Sequence, residues 1–332
     1  MPDKLKIALL LGGTSPEKTV SKHSSASVYN AIKSLGHDCK LINPAYGIFQ
    51  PEKPEDFFKD EDDFEISDSN YLETINSKLF DEVDLAFIGL HGKFGEDGII
   101  QSLLELRGIK YTGSKVLSSA ICMDKSMSKI LFNHYGVSTP PWFSIDKKSA
   151  NPEAVAAMIK KEFGFPAVIK PNDQGSTVGL TVCKDSSAVK EALSLSFQFS
   201  NRTIIEKYIP GRELTVAVLE DKALPVLEIK PKNGLYDYES KYTSGMSEYI
   251  VPADIPKEAA RTMQEQSLLA FKALGCEIYG RVDFRMDDNF DSWCLEVNSL
   301  PGMTSLSLVP KMAAAVGISF EQLIDRIIRL SL

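Results

Sequence analysis

Gly280-Arg-Val-Asp-Phe-Arg-Met-Asp287 and Cys294-Leu-Glu-Val-Asn-Ser-Leu-Pro-Gly-Met303 decide the reading of this chain. Both alternate apolar and polar residues, the pattern of strands buried on one face. The connector Asp288-Asn-Phe-Asp-Ser292 is rich in turn formers, so the two strands are expected to form a hairpin. A turn centred between Asn289 and Phe290 sets Asp283 opposite Glu296 and Arg281 opposite Asn298, with all four side chains on one face. Two opposed carboxylates repel unless a cation lies between them. A few hard oxygen donors without a dedicated cage suit Mg²⁺ that also touches substrate phosphates.

Phosphates need further groups. The chain has no GxxxxGK[ST] loop and no HRD or DFG set. It has Val168-Ile-Lys170 followed by Gly175-Ser-Thr-Val-Gly179, a glycine-rich flap joining two strands. Small residues there let backbone N–H groups approach phosphate oxygens, and Ser176 and Thr177 add hydroxyls; a plain turn is the competing reading. Lys170 lies inside an apolar strand and so requires an anionic partner. Glu206 and Lys207 end another buried strand, placed either to meet adenine edges or simply to face solvent.

Upstream, strand, glycine loop and helix repeat: strand 7–11, Gly12-Gly13, helix 20–35, then strand 84–90 and helix 99–107. This predicts a doubly wound parallel α/β sheet. The acidic stretch 51–63 reads as an exposed excursion. From about Ser114 the pattern changes to α+β. Helices are expected at 125–135 and 152–163, and strands at 167–170, 178–183, 203–207, 214–219 and 224–229. A polar loop at 232–249, a helix at 257–274 and an amphipathic helix at 320–330 follow. The expected division is an α/β domain at 1–115 and two α+β lobes at 116–213 and 214–332.

The 332 residues are 43% hydrophobic and 25% charged, an ordinary globular composition. A net charge of -8 disfavours nucleic acid as a partner. No apolar run is long enough for a membrane span, and no charged-apolar-small signal segment opens the chain. The five cysteines show no CxxC spacing, which argues against zinc and disulfides and fits a reducing cytoplasm.

Several long motifs, in order, resemble the ATP-grasp superfamily and within it the D-alanine–D-alanine ligases. They are Leu11-Gly-Gly-Thr-Ser-Pro-Glu17 with Val20-Ser21, Leu90-His-Gly-Lys-Phe-Gly-Glu-Asp-Gly98, Tyr111-Thr-Gly-Ser114 and Met123-Asp-Lys-Ser-Met-Ser-Lys129. Tyr236-Asp-Tyr-Glu-Ser-Lys-Tyr242 and the two hairpin stretches complete the match, which spans nearly the whole chain.

The resemblance implies a two-lobed ATP-grasp fold behind the α/β domain, and ligation of two D-alanines through an acyl phosphate for peptidoglycan synthesis. It implies that Asp283, Glu296 and Asn298 hold two Mg²⁺ (or Mn²⁺) ions. Lys125, Lys170, Ser176 and Thr177 would contact ATP phosphates, and Glu206, Lys207 and Glu213 the adenine and ribose. Arg281 and the Gly302 N–H would stabilise the oxyanion. Glu17, Ser176 and Tyr242 would form a polar network near the first substrate's ammonium, with Val20 and His91 beside the substrates. Lys241, Ser307 and Leu308 would receive the second carboxylate.

The resemblance further implies a cytoplasmic enzyme, commonly a homodimer, with a lid around Tyr242. A tyrosine at that position favours an amine nucleophile, hence a dipeptide rather than D-alanyl-D-lactate. Thr177, Lys18-Thr19, Leu300 and Leu306 depart from the family pattern. Competing readings are a D-lactate- or D-serine-using ligase, a nucleotide-binding module without catalysis, and a nicotinamide-dependent oxidoreductase. The last rests on the N-terminal glycine turn, which lacks the third glycine of GxGxxG.

Overall fold

The computed structural model describes residues 4–231, 246–304 and 307–332. Strand β1 (Lys6–Leu10) lies between β2 (Asp38–Ile42) and β3 (Leu85–Ile88), all parallel. Ala8, Leu9 and Leu10 are fully buried, which explains why the strand reads as an unbroken apolar run. The helix Lys18–Ser34 packs against the helix Phe320–Leu330, whose Leu323, Ile324, Ile327 and Ile328 enter the core around this sheet. Ser319 and Gln322 close that last helix with a reciprocal capping box.

Gly12 and Gly13 adopt φ of 77° and 87°. A side chain at Gly12 would come within 2.5 Å of Asn43, and one at Gly13 within 2.6 Å of the Tyr71 hydroxyl. Their N–H groups donate to Ser21 Oγ at 2.9 Å and Asn43 Oδ1 at 3.0 Å. The glycines are thus required by internal packing, and their donors are committed within the protein. No pyrophosphate cradle is formed there, and the oxidoreductase reading loses its only support.

The acidic excursion is largely exposed, as expected, but it is anchored from beneath. Lys22 is 1% exposed and donates to the carbonyls of Lys59 and Glu61 at 2.8 and 3.1 Å and to Asp62 Oδ1 at 2.8 Å. Lys18 also pairs with Asp62, and Tyr46 donates to it at 2.9 Å. Phe57 is buried under the segment. Charge composition suggested solvent, but a buried ammonium needs such a cage of oxygens. Lys22→Met leaves that cage without its donor and is expected to cost about 1–3 kcal/mol. Faster cleavage within 51–63 under limited proteolysis would register it; unchanged cleavage and melting would refute the anchoring role.

A second sheet is antiparallel, in the order β4 (Trp142–Asp146), β7 (Arg202–Lys207), β5 (Ala167–Pro171), β6 (Thr181–Cys183). Strand β6 begins at Thr181 rather than 178, because two turns, Val178 N to Gly175 O and Leu180 N to Thr177 O, extend the flap. The third sheet runs β11 (Ser247–Ile250), β10 (Leu227–Pro231), β8 (Arg212–Leu219), β12 (Tyr279–Met286), β13 (Ser292–Asn298).

The strand expected at 224–229 lies further along the chain, at Leu227–Pro231. Lys222–Ala223 (β9) folds back on β8, and β10 starts only after Pro225, which has no N–H for a ladder. Of the expected loop, residues 232–245 lie outside the described residues, and Ser247, Glu248 and Tyr249 pair with Pro231, Lys230 and Ile229.

Candidate active site

The β12–β13 register places Arg281 opposite Asn298 and Asp283 opposite Glu296, as the alternation predicts. Beyond Asp283 the register shifts, with Phe284 paired to Cys294. This bulge lets neighbouring Leu295 and Glu296 line the same cleft, which a regular strand forbids.

Asp283 accepts from Arg281 Nε and Nη2, both at 2.8 Å, from Asn298 Nδ2 at 2.9 Å and from Thr215 Oγ1 at 2.6 Å. Thr215 is delivered by its register position on β8, opposite Asp283. Glu296 faces the Lys125 ammonium at 3.2 Å, and Lys125 also donates to the Gln174 carbonyl of the flap at 2.7 Å. Lys125 opens its helix behind the Asp124 cap, whose carboxylate accepts from Met127 N. One face therefore carries two carboxylates and an amide, each carboxylate already facing a cation of the protein.

A cleft between the second and third sheets gathers Lys125, Lys170, Ser176 and Thr177 with Glu206, Lys207 and Glu213. Asp283 and Glu296 close its end. Lys170 finds its required anion in Glu206, at 3.1 Å, and Lys129 lies 3.3 Å from the other oxygen of Glu206. Burial opposes ionisation of Glu206, but the two ammonium groups outweigh it and hold its carboxyl below the usual range. Arg285 donates to the carbonyls of Ile209 and Gly211 and stands 3.6 Å from Glu213.

The flap is backbone-strained: Ser176 and Thr177 are consecutive non-glycine residues at φ of 51° and 65°. Ser176 Oγ donates to Glu17 Oε1, joining the flap to the start of the helix Lys18–Ser34. Val20 is half-buried in the first turn of the same helix. A side chain at Gly92, at φ 66°, would approach Glu17 Oε2 to 2.8 Å, so glycine is required beside this carboxylate.

His91 is buried with Nδ1 3.7 Å from Glu96, and its Nε2 finds no hydrogen-bond partner among the described residues. Burial lowers its pKa, but Glu96 and then Glu17 outweigh that, and the net shift is upward.

Gly302 has no positive φ, and a side chain there would meet Ser307 Oγ at an ordinary 3.4 Å. Among the described residues, neither conformation nor packing demands glycine at 302. Ser307 Oγ accepts from Thr304 N at 3.0 Å, and buried Leu308 starts the next helix. Leu300 is buried in the core, which accounts for its apolar character. Lys241, Tyr242 and Leu306 lie outside the described residues.

Lys129, Thr215 and Arg285 were not assigned roles from sequence. Lys129 could have been found, because it stands four residues after Lys125 and so on the same helix face. Thr215 and Arg285 depend on register across β8 and β12, which no local signal reports.

Residues 6–114 match the family D-ala D-ala ligase N-terminus, and residues 131–329 the family D-ala D-ala ligase C-terminus. The D-alanine--D-alanine ligase of Pseudothermotoga lettingae is 42% identical over 98% of this chain and 99% of its own. The D-alanine--D-alanine ligase of Bacillus anthracis complexed with ATP superposes with a TM-score of 0.77 at 31% identity, covering 98% of this chain and 97% of that one. The VanG D-Ala:D-Ser ligase of Enterococcus faecalis gives a TM-score of 0.83 at 31% identity, covering 99% and 100%.

Proposed function

The chain belongs to the D-alanine–D-alanine ligase family, and on that premise we propose that it uses ATP to join two D-alanines into D-alanyl-D-alanine. The observation that carries the reading is the meeting of the Asp283–Glu296 face with the flap through Lys125, beside a cleft holding Lys170 and Glu206.

Phosphoryl transfer is mainly positioning and charge neutralisation. Lys125 and Lys170 neutralise ATP phosphates, the flap covers them, and Glu206, Lys207 and Glu213 take the base and ribose. The first D-alanine lies with its ammonium near Glu17, and its carboxylate oxygen takes the terminal phosphoryl group of ATP. The amine of the second D-alanine, held by Ser307, Leu308 and Lys241 with Val20 and His91 alongside, attacks that acyl phosphate. Arg281 and the Gly302 N–H receive the oxyanion, and phosphate departs as the peptide bond forms. One such donor is worth on the order of 10²–10³ in rate. Tyr242 would complete the Glu17–Ser176 network on the amine side.

Asp283, Glu296 and Asn298 would hold two divalent ions, Mg²⁺ or Mn²⁺. The donor set fits, since two carboxylates and an amide lie at opposed register positions. Among the described residues no third Asp, Glu, His or Cys joins them, which leaves coordination positions for phosphate oxygens. A bound divalent ion supplies charge neutralisation to the transferring phosphoryl group. Among the described residues no helix is long and apolar enough to cross a membrane. A cytoplasmic homodimer is part of this reading, checked by light scattering on the purified chain.

The likeness to the D-Ala:D-Ser ligase makes D-serine the second reading for the attacking substrate. Incubation with ATP, Mg²⁺ and D-alanine, alone or with D-serine or D-lactate, separates the products by mass. Phosphate release with D-alanyl-D-alanine as the main product, none from L-alanine, and loss of turnover on chelating the metal are expected. A mixed D-Ala–D-Ser product in excess would replace the proposal, and ester formation at neutral pH would remove the role given to Tyr242.

A further inference from the structure

Lys129 is fully buried, one turn beyond Lys125, in a place where an unpaired ammonium is costly. Its Nζ donates to Thr139 Oγ1, and Thr139 in turn spends its only hydroxyl proton on the Cys294 carbonyl at 2.8 Å. That polarity is fixed: Thr139 presents a lone pair to Lys129, so the lysine must be the donor. The ammonium is thereby held 3.3 Å from Glu206 Oε1, while Lys170 takes Oε2 at 3.1 Å. Glu206 lines the nucleotide cleft, and each of its two oxygens faces one buried ammonium. A carboxylate fixed between two cations beside a ligand cleft keeps one orientation and one charge.

We infer that Lys129 is a positioning residue for base selection, fixing Glu206 as an acceptor so that the cleft prefers a purine with an exocyclic amine over one with a carbonyl in the same place. The inference rests on the reading that adenine lies against Glu206, and it goes beyond that reading by naming what sets the preference. An ionised carboxylate can only accept, so it pairs with an amine and opposes a carbonyl oxygen. Without Lys129 the carboxyl can rotate toward Lys170 or take up a proton and donate, and a carbonyl base becomes tolerable. Sites that read a hydrogen-bonding group discriminate far more sharply than apolar ones, because the wrong ligand leaves a buried group unpaired.

Calorimetric titration of the full chain with ADP and with IDP tests this, since IDP carries a carbonyl in place of the exocyclic amine, together with a proton on the neighbouring ring nitrogen, and so reverses the edge that a fixed acceptor would read. The wild-type protein is expected to prefer ADP by roughly 100-fold and Lys129→Met to lower that ratio by about tenfold or more, mainly through weaker ADP binding. Thr139→Val keeps the lysine but removes its orienting acceptor, and is expected to lower the ratio in the same direction by a smaller factor. A purely structural lysine would weaken both nucleotides alike, so an unchanged ratio in Lys129→Met overturns the inference. If that variant does not fold, an unchanged ratio in Thr139→Val overturns it. Wild-type protein that binds both nucleotides equally refutes it while leaving the nucleotide cleft in place. Wild-type protein that binds neither removes the ATP reading as well.

Discussion

Asp283→Asn is expected to lower kcat by on the order of 10²–10³, the scale of losing one fixed electrostatic partner of the transition state. The loss is larger than a single contact suggests. The Asp283 carboxylate accepts four bonds, two from Arg281 and one each from Thr215 and Asn298. An amide at 283 keeps the shape but offers one acceptor oxygen, so one nitrogen of Arg281 faces an NH₂ group. The guanidinium proposed to receive the oxyanion is then free to turn, and the face proposed to hold divalent ions loses one of its two carboxylates. Rapid-quench measurement of acyl-phosphate formation and of peptide formation separates the two defects. A kcat within tenfold of wild type, in a variant with an unaltered circular dichroism spectrum, would show that the β12–β13 face is not the reacting centre.

Glu206→Leu is expected to be the most destabilising single change in the cleft, by about 3–5 kcal/mol, because it strands two buried ammonium groups, Lys129 and Lys170, without a counter-charge. The pH dependence has a definite sign. The carboxyl of Glu206 is held below its usual range by the two lysines against the opposing effect of burial. A group with a depressed folded pKa contributes stability above the unfolded carboxylate value, about 4.3, and loses it as pH falls through the folded value. The gap between wild type and variant should therefore be widest near neutrality and shrink in acid. Urea unfolding at pH 7 and again below pH 4 measures both. A difference under about 1 kcal/mol at pH 7 would mean that the buried triad is not held by charge pairing.

The hairpin was legible because two local signals agree: a period of two in both strands and a cluster of turn formers between them. That sufficed for the Asp283–Glu296 and Arg281–Asn298 pairs. The bulge beside Asp283 was not legible, because Cys294 and Leu295 carry no glycine or proline to mark it. Lys170 was readable as needing an anion, yet its partner Glu206 stands on a neighbouring strand whose pairing no local pattern gives.

The anchor of the acidic stretch, Lys22, gives no local signal for the same reason. In Ser21-Lys-His-Ser-Ser25 it looks like a solvated helix face, and only the return of the chain near residue 60 supplies its oxygens. The Gly12-Gly13 turn allowed an oxidoreductase reading because the residues it packs against, Asn43 and Tyr71, are distant in sequence. Local periodicity reports elements; charge pairs across elements are written only in the fold.

The packing of the helix Phe320–Leu330 against the first sheet has a consequence for synthesis. Its Leu323, Ile324, Ile327 and Ile328 share a core with Ile7, Leu9 and Phe87. A ribosome releases residues in order, so the nascent amino-terminal sheet must wait for more than two hundred residues before that surface is covered, as the spacing from Phe87 to Leu323 dictates. During that interval, at about 5–20 residues per second, an apolar face stands open to other chains. Stalled or truncated products ending before Phe320 should thus be the aggregation-prone species of this protein, and recruitment of a chaperone to them would mark the moment at which the fold still lacks its last piece.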